Sequence, residues 1–429
     1  MMNKGETMTA ATQEQTMPAA AGHLGTGLPR AGTHAELAPR RAFQDVVADA
    51  RVGARSRIGV TVHNDFADAE ISWRAFEADA TALGFQNFDW LKAWFVQVGS
   101  AEGVEPAIAL VSLDGVPVMH AAFGIERRYG LRCLTWLGGK FVDYKAPMLA
   151  PDFEERVPRD QFMAIWNKLL AALPAHDFIA LENQPSHIGY VPNPFASLDG
   201  DAAADDGYVF DLPDTYDGFV QSFRAETRRA DRSKLRKLEA LGRLEFRIAQ
   251  TQDEARRMTA DILDRKAAQL RAQGIASIFE DAGYRAAYIA LAALPPKRQI
   301  LQVAQLMLDG EFLSGSIAQI RNGHTTLMVH TYEQEYARLS PGRLHLLKLI
   351  ETSISAGHSI YDLSVGAAPY KDSFCNTPMA LTNFVISTKP WGLAAASAER
   401  TRLGLKRRVK SSDRMMGWLR KARLYFRGE

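Results

Sequence analysis

The stretch that decides the fold is residues 299–332, QILQVAQLMLDGEFLSGSIAQIRNGHTTLMVHTY. Two dipeptides that favour tight turns, Asp309-Gly310 and Asn322-Gly323, divide it into three largely apolar segments. Dipeptides of this kind between apolar segments are strong signals for β-hairpins. The pattern therefore predicts an antiparallel meander with strands over 299–308, 311–320 and 324–332.

The same order of elements occurs earlier in the chain. Asp114-Gly115 and Gly130 mark turns there, between predicted strands over 107–113, 116–125 and 131–137. Each meander is followed by a helix and a strand, over 159–173 and 177–182 in the first half and 342–356 and 359–364 in the second. Helices over 216–241, 252–272 and 280–294 precede the second meander. The repetition predicts a duplicated α/β (α+β) domain, with mixed, mostly antiparallel sheets flanked by helices. A chance agreement of two hairpins is the alternative.

Composition divides the chain into four predicted segments. Residues 1–57 are poor in aromatic residues and rich in Ala, Thr, Gly, Gln and Pro, which predicts disorder. Residues 58–200 form the first domain, and the Pro-, Asp- and Gly-rich stretch 192–207 reads as a linker. Residues 201–389 form the second domain, and 390–429 form a basic amphipathic tail.

Composition and charge also restrict the class of protein. The 429 residues carry a formal net charge of only +2, so no overall basic excess indicates DNA binding. Two cysteines provide neither a disulfide framework nor a metal site, and we expect no metal. With no apolar segment of membrane-spanning length, we expect a cytoplasmic protein.

Residues 390–429 hold 11 Lys and Arg against three Asp and Glu, so 400–429 could contact the inner face of a membrane. A solvated terminal helix, or one that docks on the same protein, is the alternative.

The loop after the last strand of the second meander is a candidate anion site. Ser340 is a good N-cap residue, and Pro341 suits the first helical position. Free N–H groups at a helix N-terminus favour a phosphate, which Arg338 and Arg343 would further attract. Gly342 would let a ligand approach the backbone. A well-capped helix without a ligand is the alternative.

Three residues of the next strand and the loop after it are candidates for catalysis. Asp362 lies in a predicted strand interior, where a carboxylate is costly to bury without a partner, and it could accept a proton. Lys371 could stabilise an oxyanion, and Tyr370 could assist with the leaving group. Asp362 as a structural residue and Lys371 as an exposed residue are the alternatives.

We also expect substrate contacts from four residues of the basic helix and the last meander strand: Arg224, Arg228, Tyr332 and Glu333. His330 and Glu333 are reserve bases.

These motifs resemble a known family. The pattern Arg338-x-Ser340-Pro341-Gly342, followed by Asp362 and Tyr370-Lys371, resembles the C-terminal signature of GNAT-like acyltransferases of the CelD/BcsL type, which are linked to cellulose and exopolysaccharide biosynthesis. The resemblance covers about residues 85–388 and implies tandem GNAT-like domains similar to Fem-type aminoacyl transferases. It also implies that the loop 338–342 holds the pyrophosphate of acyl-CoA. The Ser-Pro-Gly turn departs from the usual glycine-rich run, and proline removes one donor.

The resulting hypothesis is an acyltransferase. Acyl-CoA, with acetyl-CoA expected, would be a co-substrate rather than a bound cofactor, and the acceptor would be a hydroxyl or amine of a sugar or cell-envelope precursor. No G-x-S-x-G motif is present, so we expect direct transfer rather than a covalent enzyme intermediate. Two alternatives stay open. One is Fem-like aminoacyl transfer from charged tRNA, and the other is a catalytically degenerate binding subunit of a polysaccharide synthase.

Overall fold

The computed structural model describes residues 56–375 and 378–412. The predicted disorder of 1–57, apart from 56 and 57, and the part of the predicted tail beyond residue 412 lie outside these residues. None of the described helices is long and apolar enough to cross a membrane.

The first half of the chain builds a mixed sheet, a small two-stranded sheet and the helices around them. The strands of the mixed sheet from this half are β1 (Ile58–His63), β2 (Glu105–Leu113), β3 (Val116–Arg128), β4 (Leu131–Trp136), β5 (Met148–Leu149), β6 (Phe178–Pro185) and β9 (Asp201–Ala202), and β7 (His187–Ile188) and β8 (Val191–Pro192) pair only with each other. Its helices are α1 (Phe66–Glu77), α2 (Phe88–Trp94), α3 (Phe153–Arg156) and α4 (Arg159–Ala172).

The second half builds a second mixed sheet with the same order of meander, helix and strand. Its strands are β10 (Gly207–Asp211), β11 (Leu244–Ile248), β12 (Leu301–Leu308), β13 (Glu311–Arg321), β14 (His324–Tyr332) and β15 (Ile360–Val365), and β16 (Leu381–Ser387) follows them. The helices are α5 (Tyr216–Gln221), α6 (Ala225–Glu239), α7 (Gln252–Ala272), α8 (Ala282–Ala292), α9 (Pro341–Ser355) and α10 (Leu393–Lys410).

Strand order confirms the repetition that the sequence predicts. The first sheet runs β1-β2-β3-β4-β6-β16-β9, and the second runs β10-β15-β14-β13-β12-β11. In each, an antiparallel meander ends in a strand that pairs in parallel with the strand after the next helix, as β4 does with β6 and β14 with β15. The apolar residues of α7 and α8 pack against one face of the second sheet, and those of α9 pack against the other.

Three sequence expectations need correction. Strand β16 lies inside the predicted second domain but pairs with β6 and β9, so it completes the sheet of the first half. The predicted linker 192–207 contains β9 and the fully buried Phe195, so it is part of the packed structure. The predicted helix over 216–241 is two helices, α5 and α6.

Candidate active site

A gap between β14 and β15 is the central feature of the site. The two strands pair only from His324↔Ile360 to Thr326↔Asp362, and beyond these pairs they are not bonded to each other. Met328 is an extra residue in β14 opposite β13, and such a bulge bends a strand. We call the gap between residues 327–332 and 363–365 the wedge. Its edges offer backbone N–H and C=O groups that an extended ligand can bond.

Asp362 lies where the wedge begins. Its side chain is 1% exposed. One oxygen, Oδ1, accepts a hydrogen bond from the Tyr144 hydroxyl at 2.9 Å and another from the Ser364 amide at 2.6 Å. The other oxygen, Oδ2, has no hydrogen-bond partner among the described residues, and the His324 ring nitrogen is 3.6 Å away. A buried carboxylate oriented through one oxygen therefore keeps the other available to accept a proton.

Ser364 connects Asp362 to a second carboxylate. Its φ of 63° lies in the left-handed region, which is costly for a residue other than glycine. This conformation lets the Ser364 amide bond Asp362 while the Ser364 hydroxyl donates to Asp143. Burial raises the pKa of Asp143, and the negative charge of Asp362 adds to the rise. The site thus holds two coupled carboxylates, one from each half of the chain.

Lys371 provides positive charge near these carboxylates, and Lys266 of α7 lies close enough to Lys371 for the two charges to interact. Lys371, 6% exposed, donates hydrogen bonds to the carbonyls of Ser364 at 3.2 Å and Val365 at 2.9 Å. Burial lowers the pKa of Lys371 to about 8, although nearby carboxylates oppose the shift. Burial also lowers the pKa of Lys266 on α7 to about 8, and the charge of Lys371 contributes. Lys371 is therefore a buried residue at the end of β15, unlike the exposed lysine of the alternative interpretation.

The N-terminus of α9 lies at the other end of β14. Ser340 occupies the N-cap position with a φ of 51°, but its hydroxyl does not cap the helix and instead accepts a hydrogen bond from Lys234 of α6 at 2.8 Å. Pro341 has no N–H, so the first free donors are the amides of Gly342 and Arg343. Lys234, which sequence reasoning did not select, thus adds a cation to the predicted loop.

The structure gives a different reason for the glycine at position 342 from the close ligand approach that the sequence predicts. A Cβ atom there would lie 2.9 Å from Tyr332 and 3.1 Å from His330. The missing side chain therefore lets α9 pack closely on the end of β14. Burial lowers the pKa of His330 to about 3, so this ring is neutral and is a packed strand residue.

The side chain of Arg343 also differs from the prediction, because it contacts protein groups that already occupy its charge. Its guanidinium forms a two-bond ion pair with Asp231 of α6, at 2.8 and 3.0 Å, and donates to the Ser373 hydroxyl at 2.9 Å. These partners neutralise its charge and tie α9 to α6. Arg338 is exposed and has no carboxylate partner among the described residues, so it remains a candidate for the donor phosphates.

The predicted substrate contacts are not brought together. Arg228 donates to the backbone carbonyls of Gln221 and Phe223, and it closes the turn between α5 and α6. Arg224 is exposed at the start of α6. Glu333 forms an ion pair with Arg265, which makes it a poor reserve base.

Tyr332 and Tyr370 lie near the predicted machinery. Tyr332 packs beside Gly342 at the end of β14. Tyr370 directly precedes Lys371, and desolvation of its hydroxyl raises the pKa to about 12, although the residue as a whole is 39% exposed. Tyr370 is therefore protonated at neutral pH and can act as a hydrogen-bond donor.

The equivalent position in the first half is apolar. Three residues after the turn glycine Gly130, Cys133 pairs with the fully buried Phe178. Three residues after the corresponding Gly323, Thr326 pairs with Asp362. The first half therefore places a phenyl ring where the second half places its carboxylate.

Sequence reasoning missed Tyr144, Asp143, Ser364 and Lys266. Tyr144 and Asp362 are 218 positions apart, and no local spacing connects them. The available signal was the run of polar residues Asp143-Tyr144-Lys145 between the apolar residues 141–142 and 146–150. Within the described part of the chain, no group of three or more His, Cys, Asp or Glu could hold a metal ion.

Comparison with known proteins gives a family match over part of the chain. Residues 225–372 match the family described as an acetyltransferase (GNAT) domain. This segment runs from α6 to the residue after Lys371, so it contains both ends of the wedge. The sequence has no match among the curated proteins.

Several solved structures are similar. FemX is 10% identical, with 78% of this chain and 98% of that chain covered and a TM-score of 0.52. A tandem GNAT protein from the clavulanic acid biosynthesis pathway is 11% identical, with 78% and 99% covered and a TM-score of 0.42. L-PGS from Bacillus licheniformis is 12% identical, with 78% and 96% covered and a TM-score of 0.43. The fold is mixed α/β with mostly antiparallel sheets flanked by helices, as predicted, and it is similar to the fold of FemX. The narrower CelD/BcsL assignment stays a prediction.

Proposed function

We propose that the protein is an acyltransferase that moves an acyl group, acetyl in the first instance, from acyl-CoA to a hydroxyl or amine. The observation that carries the proposal is Asp362, a buried carboxylate with a free oxygen where the wedge begins. The wedge extends from it to the N-terminus of α9. A long thioester with phosphates at one end and a reactive carbonyl at the other matches this layout.

The donor would lie along β14. The amides of its pantetheine arm would pair with the free edge of the strand, as an added strand does. Its phosphates would accept hydrogen bonds from the amides of Gly342 and Arg343, with Lys234 and Arg338 nearby. Since Pro341 lacks an N–H, the two cations compensate for the missing donor.

The chemistry would be a direct displacement. The acceptor oxygen or nitrogen attacks the thioester carbonyl, and its proton passes to Asp362 Oδ2, directly or through a water molecule. Lys371 and the Tyr370 hydroxyl would stabilise the negative charge, first on the carbonyl oxygen and then on the departing thiolate. The new C–O or C–N bond forms, the C–S bond breaks, and a proton finally reaches the sulfur.

Calorimetric titration with acetyl-CoA tests the donor end. We expect Lys234→Glu and Arg338→Glu each to weaken binding at least tenfold, because a carboxylate beside the phosphates repels them. The matched control is Arg236→Glu, an equal charge change at an exposed position of α6. Equal weakening by all three variants would show that acetyl-CoA responds only to the overall charge of the protein. Unchanged affinity in the first two would show that this loop is not part of the binding site.

A charged tRNA is the second candidate donor, and the surface of α6 favours it. Exposed cations follow this helix and the residue before it: Arg224, Arg229, Arg232, Arg236 and Lys237. Such a surface would bind a phosphate backbone in a salt-dependent way. Retention of tRNA at low salt, with no heat of binding for acetyl-CoA, would favour aminoacyl transfer over the primary proposal.

For the acceptor, we propose a sugar or cell-envelope precursor, as the CelD/BcsL resemblance implies, and action at the inner face of the membrane. Exposed Lys406, Arg407 and Arg408 on α10 support the location. The other side of α10 packs on the first sheet through Leu403. A flotation assay with anionic vesicles, with and without residues 400–429, tests this contact.

A further inference from the structure

A cavity of about 450 Å³ lies on the face of the second sheet that α9 covers. It is enclosed by α5, α6 and α9 above β11 and β12, and we call it the α5–α6 cavity. Most of its wall is apolar, from the side chains of Val220, Phe223, Leu235, Leu244, Phe246, Leu306, Leu344 and Leu347. Neither Asp362 nor the donor loop 338–342 lines it, so it is separate from the proposed acyl-transfer site.

Some of the charged residues around the α5–α6 cavity form ion pairs, and others do not. Asp231 is paired with Arg343, and Lys348 is paired with Glu351. Arg228 bonds only backbone carbonyls, and Arg232 is exposed and forms no ion pair with a described residue. These two guanidinium groups therefore keep an uncompensated charge beside an apolar interior.

Two carboxylates also line the cavity. Asp217 is on the first turn of α5, and Glu239 is at the last position of α6. The two arginines lie between them in sequence, in the first half of α6. Over residues 224–243 there are eight Lys and Arg against three Asp and Glu, so the field around α6 is positive.

We infer that the α5–α6 cavity binds the hydrocarbon chain of an anionic amphiphile, with its head group at Arg228 and Arg232. Burial of an alkyl chain against apolar side chains supplies affinity, and the guanidinium groups select a negative head. The volume is within the range of small-molecule sites. This binding goes beyond acyl transfer and does not depend on it.

Binding of dodecanoate, dodecyl phosphate, dodecanol and dodecyltrimethylammonium below their micelle concentrations tests the inference. The readouts are calorimetric affinity and the shift in melting temperature of the full chain. We expect the two anions to bind at least tenfold more tightly than the alcohol, and the cation to bind most weakly. No binding of any chain, or equal affinity for anion and cation, would overturn the inference.

Variants separate the chain from the head group. Val220→Trp fills the cavity and should abolish dodecanoate binding, with Leu235→Phe as a second filling variant if the first does not fold. Arg232→Glu should weaken dodecanoate at least tenfold and leave dodecanol unchanged, whereas Arg236→Glu on the same helix, outside the lining, should have little effect. Wild-type affinity in a folded filling variant, or equal loss in Arg236→Glu, would contradict the inference.

Two sources could supply such a ligand. Binding of free dodecanoate without retention on phosphatidylglycerol vesicles would support a soluble fatty acid, and retention that Val220→Trp abolishes would support a membrane lipid. Acetyl-CoA titration of the same variants keeps the two sites apart, because we expect it to be unchanged by Val220→Trp.

Discussion

Asp362→Asn is the substitution that tests the proposed chemistry most directly. The asparagine side chain has nearly the same shape, and its amide oxygen can take the place of Oδ1, which accepts from Tyr144 and Ser364. Its NH₂ group would replace Oδ2, which bonds no described residue. The substitution therefore removes the charge and the basicity while it keeps the packing.

The two consequences of this substitution differ in size. Two hydrogen bonds to a charged group become neutral ones, and this should cost about 1–2 kcal/mol of stability in total. Loss of a general base lowers turnover by about 10²- to 10⁴-fold, which is about 2.7–5.4 kcal/mol in the barrier at 1.36 kcal/mol per tenfold. The effect on turnover should thus exceed the effect on stability.

The assay follows release of free thiol from acetyl-CoA in the presence of a panel of sugars and amines, with urea unfolding of each variant alongside. A second readout is the pKa of Lys371, which the charge of Asp362 raises against the lowering effect of burial. In Asp362→Asn this pKa should fall below about 8, as a titration of isotope-labelled lysine side chains would show.

Asp372→Asn is the matched control, because Asp372 is an exposed carboxylate in the loop that carries Lys371. We expect wild-type turnover from it. If folded Asp362→Asn keeps full turnover, Asp362 is a structural residue and the proposed base is wrong. If both variants lose turnover equally, the loss reflects the charge of the loop rather than proton transfer.

Three further outcomes are expected. Tyr144→Phe removes the hydroxyl that orients Asp362, so it should cost about 1.5–3 kcal/mol of stability in denaturant unfolding and lower turnover without abolishing donor binding in calorimetry. Burial opposes ionisation of Glu182, but the positive charges of Lys145, Arg128 and Arg402 lower its pKa to about 2. Its stabilising effect is then complete above the unfolded value of about 4.5 and is lost as the pH falls toward 2, so Glu182→Gln should flatten acid unfolding in this window. Arg343→Ala leaves the α6 carboxylate unpaired and should cost about 2–4 kcal/mol by thermal unfolding, whereas a cost near zero would contradict the assigned contact.

The strands of the second meander could be predicted from the sequence because their turns are local. Asp309 and Gly310 have φ values of 51° and 85°, the left-handed conformations that this type of tight turn requires. Asp114 and Gly115 have 51° and 83°, so the same chemistry sets both hairpins. The predicted strand over 324–332 and the predicted helix over 252–272 have the bounds that the structure shows.

The break between α5 and α6 could not be predicted in the same way. No glycine or proline lies between Gln221 and Ala225. The chain turns there because Arg228 reaches back to the carbonyls of Gln221 and Phe223, and because Phe223 packs edge-on against Phe374. Both are contacts of the folded state that a helical pattern does not contain.

The candidate site could be predicted only for the part that one half supplies. Asp362, Tyr370 and Lys371 lie within ten residues of one another, and a local pattern is enough to find them. Tyr144 and Asp143 come from the first half of the chain, so their role depends on how the two sheets pack. The charge on Arg343 could not be assigned either, because its partner Asp231 is 112 positions away.

The first half contributes to the proposed site although it has an apolar residue at the position equivalent to Asp362. With Phe178 in place of the carboxylate, the first half lacks the proposed base. Its Tyr144 hydroxyl nevertheless orients Asp362, and its Asp143 accepts a hydrogen bond from the hydroxyl of Ser364. The first sheet in turn is completed by β16, which follows the site in sequence. Each half therefore needs a segment of the other, one for its chemistry and one for its sheet.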